Sequence, residues 1–397
     1  MKEKGSSNHL KLEHFIKHNS IAQLLYRYGM SAFFQVWGKV LKLDDKLVLM
    51  NGHGYRYNDS PRAIYEKMLE LGIADNYKIV WALNDPDSAD IPGNAIKIKM
   101  DTVEYFKTAL KAKYWIACVN IERGLHFKKK EQIYLNTWHG ASLNFVGNAV
   151  EGRNDFHFEH IDFFCYNGEY ERGFIKRDFN VRDEALIPTG YPRNDALYKA
   201  TDATRQAFRR KFGVADDKKI ILYAPTWRES NDGGGSFKLA PPIDWKKWEE
   251  KLGNQYVVFL RTHPYTTELM NIVFNDFVRD FINYPQVNDL LIAADVLISD
   301  YSCIQLDYSI LGRPQICYGY DYDGYKALRG FYFDIETTMP NGVMRDEDQV
   351  IEHLLNMNYE EDCKKSIKFK NEHMEYGGDA TVKCINLLFG EIGQEDT

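Results

Sequence analysis

Short apolar runs alternate with helix-like stretches along most of this chain, and that alternation limits the fold more than any other feature. The runs are Leu47–Asn51, Tyr77–Leu83, Tyr114–Val119, Gln132–Leu135 and Phe163–Tyr166, then Ile220–Ala224, Tyr256–Leu260, Val296–Ser299 and Gln315–Tyr318. Runs of this length and composition suit buried strands of a parallel sheet joined by crossover helices. Helical patterns lie between them. One is Arg62–Leu71, with Ser60 as N-cap and Pro61 at the first helical position; another is Ser302–Leu311. The pattern predicts an α/β protein with doubly wound sheets.

A length of 397 residues gives room for two such domains. Gly190-Tyr191-Pro192-Arg193-Asn194-Asp195 reads as a turn, a charged helix follows over Thr204–Phe212, and a fresh strand begins at Ile220. The expected division is an amino-terminal segment (1–46), a first Rossmann-like domain (47–200) and a second (201–397). No solenoid repeat is visible. Gly233-Gly234-Gly235 lies in a polar stretch with no Lys-Ser/Thr pair after it, so it reads as a surface loop and not a phosphate-binding loop.

A net charge of -7 argues against a nucleic-acid binder. The six cysteines form no CxxC pair and sit mostly in apolar runs, which predicts reduced, buried thiols in a cytoplasmic protein and no zinc site. No secretory signal and no apolar stretch of membrane-spanning length is evident. Residues 20–43 still stand out. Tyr26, Met30, Phe33, Trp37, Val40 and Leu41 recur every three or four residues, with Arg27, Lys39 and Lys42 mostly on another face. The pattern describes an amphipathic helix suited either to an anionic membrane surface or to the protein's own core.

Several strand ends carry chemistry, and strand ends of an open parallel sheet are where α/β proteins bind ligands. His139 follows Gln132–Leu135 beside Gly140, Ala141 and Ser142. An imidazole there suits a general base, although a histidine donating to a backbone carbonyl is the simpler reading of one residue alone. Thr226 and Arg228 follow Ile220–Ala224 and offer a hydroxyl and a planar cation to a phosphate. Arg261 and His263 follow Tyr256–Leu260, with Pro264 holding His263 extended. Asp300 and Ser302 join Val296–Ser299 to the next helix, where free amides and Ser302 suit an anion and Asp300 suits a ligand hydroxyl, or where either residue simply caps the helix. Together these groups suit a diphosphate ligand.

The ordered motifs resemble the CDP-glycerol glycerophosphotransferases of teichoic acid synthesis. The carriers are Asn51-Gly52 with Ser60-Pro61-Arg62-Ala63-Ile64-Tyr65, then Thr137-Trp138-His139-Gly140 and Thr189-Gly190-Tyr191-Pro192-Arg193-Asn194-Asp195. They continue with Tyr223-Ala224-Pro225-Thr226-Trp227-Arg228, Arg261-Thr262-His263-Pro264, Ser299-Asp300-Tyr301-Ser302, Asp307-Tyr308 and Leu328-Arg329-Gly330-Phe331-Tyr332. The resemblance implies a GT-B-like fold, two Rossmann-like domains facing a cleft, with acceptor in the first and donor in the second. It implies transfer of glycerol phosphate or ribitol phosphate from a CDP-alditol to a hydroxyl of an undecaprenyl-diphosphate-linked saccharide or polymer, with release of CMP. His139 then matches the base and His263 a second functional histidine at the donor phosphates. Thr226, Arg228, Arg261, Asp300 and Ser302 hold the donor, and Gly140 and Ser142 lie on the acceptor side. No cofactor or metal beyond the donor is implied, and attachment is expected to be peripheral, at the cytoplasmic face of the membrane. A GT-B glycosyltransferase using a nucleotide sugar is the alternative. One departure concerns the acceptor side: many family members carry Thr-Pro-Leu-Lys after the His-Gly pair, where this chain has Ala141-Ser142-Leu143-Asn144 and so lacks a basic group.

Overall fold

The computed structural model describes residues 20–226, 241–262 and 272–391. Two parallel sheets organise it. The first contains β1 (Asp44–Asn51), β2 (Lys78–Leu83), β3 (Ile96–Lys99), β4 (Ala112–Ala117), β5 (Ile133–Asn136), β6 (Phe163–Cys165) and β7 (Leu186–Ile187), in the order β3-β2-β1-β4-β5-β6-β7. The second contains β8 (Lys219–Tyr223), β9 (Tyr256–Leu260), β10 (Val278–Asp280), β11 (Val296–Ser299), β12 (Gln315–Tyr318) and β13 (Val343–Met344), in the order β10-β9-β8-β11-β12-β13. Every pairing in both sheets is parallel. Central strands are apolar because both faces are covered: Val48, Leu49 and Met50 of β1 and all of Tyr256–Leu260 are buried.

In each sheet the chain starts in the middle, winds outward one way, then returns to wind the other way. The order therefore reverses between β1 and β4 and again between β8 and β11. Loops leaving the carboxyl ends of strands diverge at such a reversal and open a crevice. Each unit thus presents one built-in ligand position.

The chain does not stay within the second unit once it has entered it. Its last two helices, Tyr359–His373 and Ala380–Phe389, return to the first sheet. Phe369, Met374, Cys384, Ile385 and Leu388 are buried in the same apolar cluster as β1, β4 and β5. The carboxylate of Asp195 accepts from the backbone N–H of Ala380 and Thr381, fixing the start of the last helix. Cys165 and Cys384 meet there as free thiols, with sulfurs 3.6 Å apart.

Two local expectations change. The helix expected over Arg62–Leu71 runs from Asp59 to Glu70. Ser60 does not cap it; the residue is buried, and its hydroxyl accepts from the backbone N–H of Arg193 at 3.3 Å. The amino-terminal helix, Ser20–Val40, does not gather its apolar groups on one face. Ser31, Phe34 and Gly38 are buried, Met30 and Trp37 pack beside them, and Phe34 stacks on Phe106 at 4.4 Å. Leu25, Tyr28, Phe33, Val36 and Val40 stay exposed, and Phe33, Val36 and Val40 line an apolar groove with Val103 and Phe106. No helix among the described residues is long and apolar enough to cross a membrane.

Candidate active site

The site is built on the turn after β5. Trp138 has φ 51° and Gly140 φ 132°, so two successive reversals throw His139 out of the strand line. Gly140 is required on two counts. Its φ disfavours a side chain, and a Cβ would lie 2.7 Å from Nη2 of Arg193. Behind the turn, Asn136 Oδ1 accepts from the N–H of Trp138 at 2.8 Å. The Trp138 ring packs on Phe179 at 4.6 Å.

His139 Nδ1 lies 2.9 Å from the carbonyl oxygen of Cys118. A carbonyl only accepts, so the contact places the proton on Nδ1 and leaves the lone pair on Nε2. The ring stacks on His53 at 4.7 Å. Burial first, and then the neighbouring His53, push the imidazole pKa down to about 4. His139 is therefore a neutral base at physiological pH, in one tautomer, and partly buried.

A cleft of about 310 Å³ opens beside it. From the first unit its walls carry Trp138, His139, Gly140, Ser142 and Asn144; from the second, Thr226, Tyr301, Ser302, Cys303 and Arg329. The loop after β5 of the first sheet and the loops at the reversal point of the second, after β8 and β11, therefore open on one space. The second unit also reaches across: Phe145 N–H donates to Gly330 O at 3.3 Å and Tyr332 N–H to Leu143 O at 3.0 Å. These bonds tie the segment after Arg329 to the residues just beyond the His139 turn.

Arg193 joins the halves directly beneath the turn. Its Nη1 donates to the carbonyl of His139 at 2.7 Å and to Asp59 at 3.0 Å, and its Nη2 donates to Asp307 at 2.6 Å. Asn194 also donates to Asp307, at 2.7 Å. Burial first, with the nearby Asp59 charge, raises Asp307 above its ordinary value against the pull of Arg193 and Asn194. For Asp59, burial is outweighed by the Arg193 guanidinium and the Ser60 N–H, which hold it low.

The sequence-identified residues divide into four groups. His139, Gly140, Ser142, Thr226 and Ser302 line the cleft. Asp300 stands just behind them, its carboxylate accepting from the Thr226 N–H at 2.9 Å and from the Thr226 hydroxyl, so it fastens the end of β8 to the end of β11. Arg261 points elsewhere: its Nη1 donates to the carbonyls of Tyr284 at 2.6 Å and Phe281 at 3.2 Å. Arg228 and His263 lie outside the described residues. His53, Arg193 and Arg329 are the groups at the site to which sequence reasoning gave no role. His53 follows the end of β1 as His139 follows β5, and that parallel was the available signal.

Two parallel α/β units, their strand-end crevices meeting around a neutral imidazole, hydroxyls and a guanidinium, define a group-transfer enzyme of the two-sheet kind. The family model for CDP-glycerol:poly(glycerophosphate) glycerophosphotransferase matches residues 32–390, and the chain belongs to that family. It is 32% identical over 323 residues to the teichoic acid poly(glycerol phosphate) polymerase of Staphylococcus epidermidis, covering 77% of this chain but only 44% of that longer protein. It is 27% identical to the corresponding polymerase of Bacillus spizizenii, covering 96% of this chain and 100% of that one. A structure of the wall teichoic acid polymerase TagF, as a variant soaked with CDPG, matches with a TM-score of 0.79 at 27% identity, covering 98% of this chain and 97% of that one.

Proposed function

We propose that this chain transfers an alditol phosphate, glycerol phosphate or ribitol phosphate, from its CDP-linked donor to a hydroxyl of a lipid-linked teichoic acid acceptor, releasing CMP. The reading is carried by one observation: His139, fixed in the base tautomer on the first unit, shares a cleft with Thr226, Ser302 and Arg329 of the second. The acceptor hydroxyl gives its proton to His139 Nε2. Its oxygen attacks the phosphorus bearing the alditol, and the bond from that phosphorus to the bridging oxygen of CMP breaks. Negative charge gathers on the leaving phosphate, where a guanidinium and hydroxyl donors lower its energy. Arg329 supplies that cation from the described residues, with Arg228 and His263 expected to add to it. Asp300 acts by holding Thr226 in place. Gly140 and Ser142 border the acceptor side.

The acceptor is an undecaprenyl-diphosphate-linked saccharide or polymer, and the enzyme works at the cytoplasmic face of the membrane. The outer apolar face of the Ser20–Val40 helix supports that location. The two-sheet arrangement is read as GT-B-like, with acceptor in the first unit and donor in the second.

The test is CMP release by purified enzyme given CDP-glycerol, CDP-ribitol or a UDP-sugar with a synthetic lipid-linked acceptor. Release is expected with a CDP-alditol and not with the UDP-sugar. His139→Asn is expected to lower kcat by about 10²–10⁴-fold, the usual span for loss of a general base. Near-wild-type turnover by that variant would remove His139 from the role.

A further inference from the structure

Away from the cleft, where the amino-terminal helix meets the first sheet, lies a group of side chains that the transfer reaction does not use. Glu122, His126 and His160 each offer one donor atom, and the three atoms lie within 4.8 Å of one another. The sequence hides this set because Glu122 and His126 stand in the loop after β4, while His160 precedes β6.

The arrangement is built. Glu122 is fully buried, and its Oε1 accepts from the backbone N–H of Phe127 at 2.5 Å and Lys128 at 2.7 Å. That fixes the carboxylate and turns Oε2 onto Nε2 of His160, in close contact. A buried carboxylate needs a positive partner, and among the described residues neither Glu122 Oε2 nor the facing His160 Nε2 makes a hydrogen bond. The His126 ring is edge-on to His160 at 5.5 Å, and its backbone is held from both sides: its N–H donates to Ser31 Oγ at 3.0 Å, and its carbonyl accepts from Gln35 at 2.8 Å. Nε2 of His126 takes the guanidinium of Arg27 at 2.6 Å, so that nitrogen carries a lone pair directed at a cation. His157, with its ring 6.2 Å from that of His126, stands at the rim as a further imidazole.

We propose that Glu122, His126 and His160 form a binding site for a divalent transition metal of the zinc class. Two imidazoles and one carboxylate are a donor set that zinc takes readily in tetrahedral geometry, with the fourth position left to water or to His157. Binding gives the buried Glu122 Oε2 and His160 Nε2 a common partner and displaces the Arg27 guanidinium from His126. Because Arg27, Ser31 and Gln35 all belong to the Ser20–Val40 helix, the metal sets how firmly that helix is held.

The test uses the full-length, tag-free protein, stripped with chelator and then dialysed against Zn²⁺. About one equivalent is expected to remain, with a Co²⁺-loaded sample showing the visible absorption of a tetrahedral site. His126→Asn and His160→Asn are each expected to weaken binding by roughly tenfold or more. His353→Asn, at an imidazole–carboxylate pair outside this cluster, serves as control and should leave uptake unchanged. Glu122→Gln is a harsher change, because the carboxylate also holds two backbone amides; the two histidine variants, checked for folding by circular dichroism, decide the matter if it fails to fold. Substoichiometric uptake by the wild-type protein, or equal uptake by the folded histidine variants, would overturn the site.

Discussion

His139 acts as a base because the fold keeps it uncharged. The Cys118 carbonyl claims the Nδ1 proton, and burial pushes the ring pKa down to about 4. The pH dependence follows with a definite sign. Between about pH 4 and 6.5 the unfolded chain protonates this imidazole and the folded chain does not. Protons then favour the unfolded state, so His139 erodes stability as pH falls through that window and has no such effect above it. For catalysis, the acid limb of kcat/KM due to this base should fall near pH 4 and not near 6.5. A pH–rate profile checks this, and a limb centred at 6.5 with other groups excluded would show the imidazole to be solvated. His139 was legible in the sequence because a strand stops at it beside a glycine. His53 has the same strand-end position, but the stacked pair exists only once β1 and β5 are placed in one sheet on either side of β4.

At the scale of elements, what the sequence revealed and what it hid follow burial. All nine apolar runs are strands, and the four strands they do not include are β3, β7, β10 and β13, the outer strand at each edge of each sheet. Edge strands pair on one side only and need not be apolar. β3 is Ile-Lys-Ile-Lys, and β7 and β13 are two residues long. Contacts between elements were hidden for a different reason: Asp59, Arg193 and Asp307 lie far apart in the chain and carry no local pattern. Their ion pairs are nearly buried, with Arg193 15% and each carboxylate 9% exposed. Removing the cation leaves two carboxylates in a poorly solvated space. Arg193→Met is expected to cost about 3–5 kcal/mol by urea denaturation, the usual penalty for orphaning buried charge. Adding Asp307→Asn should recover part of that loss, because one of the two orphaned charges is gone. If Arg193→Met unfolds at the wild-type midpoint, the guanidinium is not the clamp between the units.

The molecule as a whole joins its halves by returning its last two helices to the first sheet, and the loop after β5 shares one cleft with the strand ends of the second sheet. Its other large-scale feature is the helix at the amino end. Periodicity revealed that Ser20–Val40 is helical and rich in apolar groups; it did not reveal which of those groups the body would cover, because that depends on Phe106 and Phe127 arriving from a distant helix and a distant loop. Docking uses Ser31, Phe34 and Gly38, and Leu25 (69% exposed), Tyr28 (67%), Val36 (64%) and Val40 (77%) remain outside. An exposed apolar stripe on a docked helix has a physical use if it meets lipid, and lysines near it, such as Lys39, favour an anionic surface. Replacing Leu25 and Val36 together with glutamate adds two charges to that exposed surface. Co-sedimentation with phosphatidylglycerol-containing vesicles is expected to fall by roughly tenfold or more, because each change both removes buried apolar area and places a carboxylate against anionic lipid. CMP release from a water-soluble acceptor analogue should be unchanged, since neither residue approaches the cleft. Undiminished vesicle binding by the double variant would show that this face does not meet the bilayer.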